Sequence, residues 1–80
     1  MREMKVWYVS MGRNRTIVAT PTKKAAAAAL GFSMYVFNQW VTESGNQETI
    51  QVAMSEPGQA FGQPNDVWGG EWKRVDRHYA

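Results

Sequence analysis

Few side chains in this sequence are of the types that carry out acid–base, nucleophilic or metal chemistry. His78 is the single histidine, and the chain contains no cysteine. A histidine-centred triad or a zinc site therefore lacks its other members. Glu43, Glu48 and Glu56 could supply a carboxylate pair, but their spacing does not require one, and a solvated surface explains them better. The sequence favours a non-enzymatic protein with no cofactor and no metal.

Four basic side chains belong to segments that could lie close together. Arg13 and Arg15 fall on a predicted hairpin loop, and Lys23 and Lys24 fall on the first turn of a predicted helix. Together they would form a small patch for an anion or an acidic partner, to which the helix N-terminus adds partial positive charge. A solvated loop and a solvated helix start are the alternative. Cations at a helix N-terminus oppose its dipole, which mildly favours a functional purpose.

Two tryptophans flank a pair of glycines in the segment WGGEW. Exposed indoles beside flexible glycines are typical of an interface loop or a stacking platform. In a small domain a tryptophan more often closes the core. The sequence favours the core for Trp72 and leaves both interpretations open for Trp68.

The stretch from Thr20 to Val41 predicts two short helices that meet at a corner. Thr20 is the expected N-cap, with Pro21 at the first helical position, and Lys23 to Leu30 has high helix propensity. Gly31 is expected to end this helix in the left-handed conformation. Ser33 is expected to cap a second helix that runs from Met34 to about Val41 and has a single apolar stripe.

The helix pair has the spacing of a DNA-binding helix-turn-helix, which is carried by Ala27, Gly31, Ser33, Phe37 and Trp40. In that interpretation the exposed side of the second helix carries Met34, Tyr35, Asn38 and Gln39. However, no Arg or Lys lies between Ala25 and Glu43, which is unusual for a recognition helix. A compact helical corner packed on a sheet is the favoured alternative.

The remaining chain predicts β-strands around the helix pair. A hairpin is expected from strands at residues 5–10 and 16–19, and two later strands are expected at 59–63 and 71–75, the last of which could pair with the one before it. Residues 47–55 fit a helix or a strand, with a short helix slightly favoured, and Pro57-Gly58 indicates a turn. Residues 1–3 are expected to fray, and residues 76–80 to form a tail.

These elements predict one α+β domain over residues 1–80: a small antiparallel sheet of three to five strands with the helix-turn-helix-like pair on one face. The expected core comprises Val6, Tyr8, Ile17, Ala26, Leu30, Phe37, Trp40, Ile50, Phe61 and Trp72. The longest apolar run, Ala25 to Leu30, is far shorter than the roughly 20 residues that a membrane-spanning helix needs. A secretory leader is not apparent, so we expect a cytoplasmic protein without a membrane partner.

Several short motifs resemble those of small proteins scattered through bacteriophages and prophages. The resemblance covers roughly residues 4–61 and rests on the segments MGR, RTIVA, KKAA, LGFS, ESGN and EPG. Within that population the sequence is most similar to anti-CRISPR proteins that inhibit type I CRISPR-Cas systems. The resemblance implies a phage-encoded inhibitor that acts in the host bacterial cell and binds the surveillance complex, Cascade. It would block target-DNA binding or nuclease recruitment.

The net charge of +2 limits how such an inhibitor could act. A DNA mimic should be strongly acidic, so docking on a protein surface is favoured. The candidate partner-binding residues are Arg13, Arg15, Lys23, Lys24, Tyr35 and Trp68. The second hypothesis is a small phage helix-turn-helix regulator that binds nucleic acid.

Overall fold

The computed structural model of the protein describes residues 3–66 and 70–79. In these residues the chain forms an antiparallel sheet of five strands and three short helices, and this confirms the predicted α+β class. The strands are β1 (Lys5–Met11), β2 (Asn14–Thr20), β3 (Thr42–Glu43), β4 (Ala60–Pro64) and β5 (Lys73–Val75). The helices are α1 (Lys23–Leu30), α2 (Met34–Trp40) and α3 (Gln47–Ser55).

The strand order across the sheet is β3-β1-β2-β4-β5. β1 and β2 form the predicted hairpin, with Met11 opposite Asn14 on either side of the two-residue turn Gly12-Arg13. β5 pairs with β4, as the sequence predicts. β3 was not predicted, because two residues carry no periodicity and are held in the sheet only by pairing with β1 at Trp7 and Tyr8.

Helices cover both faces of the sheet. α1 and α2 pack on the face that carries Trp7, Val9 and Val18, where Phe37 meets Trp7 edge-on with ring centroids 5.6 Å apart. α3 packs on the opposite face, around Ile17 and Phe61. The helical corner therefore lies on one face as predicted, and residues 47–55 add a helix on the other.

The alternating direction of the side chains along β1 and β2 explains why helices cover both faces of the sheet. Side chains on successive strand residues point to opposite faces, so a strand that is buried at successive positions is covered on both sides. Residues 15–20 of β2 are all buried. The predicted core includes Val6 and Tyr8, which lie on one side of β1. It omits Trp7 and Val9 on the other side, which are also buried.

The predicted core is correct at six positions: Val6, Ile17, Ala26, Leu30, Phe37 and Phe61 are buried. Three further members, Tyr8, Ile50 and Trp72, are half-buried against the cluster on the α3 face. Trp40 was expected in the core but is 50% exposed. The side chains of Phe37 and Val41 face the sheet from this segment, so the Trp40 side chain lies at the edge of the packed surface and is half exposed to solvent.

The helix pair begins two residues later than the sequence predicts. The N-cap is Thr22, whose hydroxyl accepts the Ala25 N–H, whereas Thr20 is the last residue of β2. The Thr20 hydroxyl instead donates to the Thr22 carbonyl at 2.7 Å. Ser33 caps α2 as predicted, by accepting the Val36 N–H. Asn46 caps α3 in the same way, accepting from the N–H groups of Glu48 and Thr49.

The end of α1 is a left-handed glycine, as predicted. Gly31 has φ 78°, and the N–H groups of Gly31 and Phe32 bond back to the carbonyls of Ala28 and Ala27. This closure turns the chain from α1 into α2.

Replacing Gly31 tests that turn. Gly31→Ala should lower the free energy of unfolding by about 1 kcal/mol, because a Cβ is strained at positive φ. Urea denaturation measures this. The nearest side-chain atom to the added methyl would be 3.5 Å away, so crowding is not the cause.

Gly45→Ala is the matched control, because a Cβ there meets nothing within 4 Å and its φ is not positive. Equal losses of unfolding free energy in Gly31→Ala and Gly45→Ala would show that the positive φ of Gly31 is not the cause.

Candidate functional site

The exposed side of α2 is an uncharged surface that carries large apolar side chains. We call it the α2 surface, and it comprises Met34, Tyr35, Asn38, Gln39 and Trp40. Tyr35 is 77% exposed, Trp40 50% and Met34 40%. The chain from Ala25 to Thr42 contains no charged residue. Interface cores are depleted of charge and enriched in aromatic residues and Met, so this composition is that of a protein-binding surface.

The local sequence fixes which side chains α2 exposes. Ser33 sets the start of the helix, and Phe37, which is 1% exposed, anchors it on Trp7. At about 100° per residue, Tyr35, Asn38 and Gln39 then lie on the side of the helix away from that anchor, and Met34 lies on its flank. Tyr35 therefore presents its ring to solvent from a rigid helix.

The structure separates the four basic residues that the sequence placed in one patch. Arg13 lies in the β1–β2 turn, whereas Lys23 and Lys24 follow the other end of β2, which spans about 20 Å. All three are exposed. The predicted common patch is therefore not formed. Tyr35 is exposed as a partner-binding residue would be, and Trp68 lies outside the described residues.

Arg15 is buried rather than part of an exposed loop. It is 8% exposed and projects from β2 to the α3 face, where its guanidinium donates to Oε1 of Gln63 from both Nε and Nη2. Gln63 Nε2 donates in turn to the Gly70 carbonyl at 2.8 Å. The Arg15 guanidinium also lies over the Trp72 ring, 5.9 Å from its centre. These contacts make Arg15 a structural residue that joins β2 and β4 to the loop before β5.

A groove of about 450 Å³ opens beside Arg15. Its aromatic lining comes from Tyr8 and Trp72, and Glu43 and Glu48 are also among its lining residues. Lys5 lies 3.8 Å from Glu43, which partly balances that carboxylate. The groove therefore combines both signs of charge and selects no single class of ligand.

His78 holds the C-terminal segment against the sheet, although the sequence predicts a tail over residues 76–80. The ring is 4% exposed and packs edge-on against Phe32. Its Nε2 lies 3.0 Å from the Met11 carbonyl and its Nδ1 2.6 Å from the Thr16 hydroxyl. Its backbone N–H donates to the carbonyl of Leu30. The tail interpretation is thus wrong for His78 and Tyr79, because contacts distant in sequence hold them.

The contacts of His78 fix its tautomer. A carbonyl oxygen only accepts hydrogen bonds, so Nε2 carries the proton and Nδ1 accepts from the Thr16 hydroxyl. Burial lowers the pKa of His78 below its ordinary value of 6.5, and the hydrogen bond to the Met11 carbonyl opposes this shift only in part. At neutral pH the folded protein therefore holds His78 as the neutral imidazole.

Among residues 3–66 and 70–79, no three His, Asp or Glu side chains come together as metal ligands would. In the same residues, none of the helices has the length and apolar character that crossing a bilayer requires. Comparisons with models of protein families, with curated proteins and with solved structures found no match to this chain.

Removing Arg15 should destabilise the fold. Arg15→Ala leaves the buried Oε1 of Gln63 without its donor and uncovers Trp72, so we expect a loss of about 2 kcal/mol in the free energy of unfolding. Urea denaturation of Arg13→Ala provides the control, with an expected change within about 0.5 kcal/mol because Arg13 is exposed. If Arg15→Ala lowers the free energy of unfolding as little as Arg13→Ala is expected to, Arg15 has no structural role.

Acid should destabilise the protein through His78. The unfolded chain takes up a proton near pH 6.5 and the folded chain resists it, so the free energy of unfolding should fall as the pH drops below about 6.5. The slope from one group is at most about 1.4 kcal/mol per pH unit. Denaturation curves between pH 5 and pH 8 measure it. His78→Gln should flatten this dependence, and an unchanged slope in that variant would assign the effect to other groups.

Proposed function

We propose that this protein is a non-enzymatic, phage-encoded inhibitor of the anti-CRISPR type that binds a protein partner through the α2 surface. The exposed Tyr35 on an uncharged helix carries this proposal. Burying exposed aromatic rings against a partner is favourable, and tyrosine loses little conformational entropy when it is fixed. The protein acts in the cytoplasm of the host bacterium, where its partner is found.

The partner in this proposal is the type I surveillance complex, Cascade. Its support is the sequence resemblance over residues 4–61, together with the net charge of +2, which does not suit a mimic of DNA. Docking would block target-DNA binding or nuclease recruitment sterically. Arg13, which is exposed in the β1–β2 turn, is the second candidate contact in this proposal.

Contact through the α2 surface has a direct mutational test. Tagged Tyr35→Ala should recover at least about fivefold less Cascade than the original sequence from a nuclease-treated lysate that carries type I complexes, because interface anchors of this kind contribute more than about 1 kcal/mol. Quantitative mass spectrometry of the Cascade subunits gives the ratio.

Met54→Ala is the matched control. Met54 is 41% exposed on α3, on the opposite face of the sheet, so it is a large exposed apolar side chain that does not belong to the α2 surface. Equal recovery with Tyr35→Ala and Met54→Ala would exclude the α2 surface as the contact. Arg13→Glu tests the positive charge in the same assay, and undiminished recovery would remove Arg13 from the interface.

The helix-turn-helix alternative gives a different result in the same experiment. The structure has the helix pair with its corner at Gly31, and Asn38 and Gln39 are exposed on α2. A DNA-binding regulator would recover DNA that disappears on nuclease treatment, and Asn38→Ala with Gln39→Ala would abolish that binding. Recovery of Cascade after nuclease treatment supports the inhibitor, and recovery of DNA alone overturns it.

A further inference from the structure

A second cavity lies on the α1–α2 face of the sheet, over β4 and β5. Its volume is about 340 Å³, and its lining includes Asn14, Thr16, Gly62, Lys73, Arg77 and Tyr79. We call it the cationic cavity. None of these residues belongs to the α2 surface.

The floor of the cationic cavity is a glycine inside a strand. Gly62 pairs with Thr16 on one side and Lys73 on the other, so these three residues form one row across β2, β4 and β5. Residues directly opposite each other in a sheet point to the same face. The missing side chain of Gly62 therefore leaves a gap between the side chains of Thr16 and Lys73.

The backbone does not require this glycine. Gly62 is not among the residues with positive φ, and an added Cβ would meet its nearest neighbours at 3.5 Å or more, which is ordinary contact. A glycine weakens a strand interior and often marks the close approach of a ligand. The fold therefore does not require a glycine at position 62, and the space above Gly62 belongs to the cavity.

The charge of the lining is positive. Lys73 and Arg77 are its charged members, and no Asp or Glu of the described residues lines it. The nearby Asp76 accepts a hydrogen bond from the Tyr79 hydroxyl at 2.5 Å. The Arg77 guanidinium lies 5.4 Å from the centre of the Tyr79 ring, which limits where this cation can move. Two cations beside an aromatic ring suit an anion that carries an organic group.

We propose that the cationic cavity binds a small phosphate monoester. Such a group carries about two negative charges at pH 7, which matches Lys73 and Arg77, and both side chains are established partners of phosphate oxygens. The cavity is larger than phosphate alone needs and falls at the lower end of the roughly 300–1,000 Å³ of small-molecule sites. This inference is independent of the proposed inhibitor function.

Titration of the ¹⁵N-labelled protein tests the site by NMR. The probes are inorganic phosphate, phenyl phosphate and succinate, each at one ionic strength fixed with chloride. We expect saturable shifts of the Gly62, Lys73 and Arg77 amides with both phosphates. Tighter binding of phenyl phosphate would identify an organic monoester, and equal binding would restrict the site to free phosphate and overturn the monoester. Succinate that binds as well as phosphate would overturn the phosphate assignment.

Variants separate the cavity from general attraction to surface cations. Lys73→Ala and Arg77→Ala should each weaken phosphate binding at least about fivefold. Arg74→Ala is the matched control, since Arg74 is the next residue on β5, points to the other face and pairs with Glu56. Equal weakening by Lys73→Ala and Arg74→Ala, or an absence of saturation, would overturn the proposal.

Filling the floor provides an independent variant that keeps both cations. Gly62→Val should abolish binding, and Gly62→Ala should fold, because an added Cβ would make only ordinary contacts at 3.5 Å or more. Retained phosphate affinity in a folded Gly62→Val protein would also overturn the proposal. If Gly62→Val does not fold, the two cation variants decide.

Discussion

The structure depends on the burial of β2 from both sides. Each residue from 15 to 20 is buried, and the strand pairs with β1 and β4 through its backbone. An 80-residue chain has little apolar area to spare, so one central strand covered by α1 on one face and by α3 on the other uses that area efficiently. Small side chains on α1, with Ala26 and Ala27 buried, let that helix approach the sheet closely.

The C-terminal segment completes this packing through one neutral histidine. His78 joins the end of α1 at Leu30 to the β1–β2 hairpin at Met11 and Thr16, which are distant in sequence. Asn14 reinforces the closure by donating to the Tyr79 carbonyl at 2.8 Å. A polar ring in this position is stable only because both of its nitrogens have partners. The same closure places Arg77 and Tyr79 at the cationic cavity.

The two candidate binding surfaces differ in their chemistry. The α2 surface is uncharged and aromatic, which suits a protein partner that buries it. The cationic cavity is concave and positive, which suits a small anion. They are formed by different elements of one face of the sheet, α2 in the first case and β4, β5 and the C-terminal segment in the second. Each can therefore be altered without touching the side chains of the other.

The sequence by itself determined the local elements. Periodicity, the Gly31 terminator and the Ser33 cap predicted the helix pair, and β-branched runs predicted the hairpin and the antiparallel sheet. In the helix-turn-helix interpretation it also placed Tyr35 on the exposed side of the second helix, and Tyr35 is exposed in the structure. These features depend on neighbours within a few positions, and sequence patterns record such neighbours directly.

Only the tertiary structure decided how distant segments meet. Arg15 and Lys23 are close in sequence, but β2 carries one to the α3 face and the other to the far end of the strand. Residues 76–79 lack any periodicity, yet contacts with Leu30, Met11 and Asn14 fix His78 and Tyr79 in place. Lys73 and Arg77 line one cavity because strand pairing and the His78 closure bring them together. Long-range pairing of this kind leaves no local pattern, so the candidate cavity could not be predicted from the sequence.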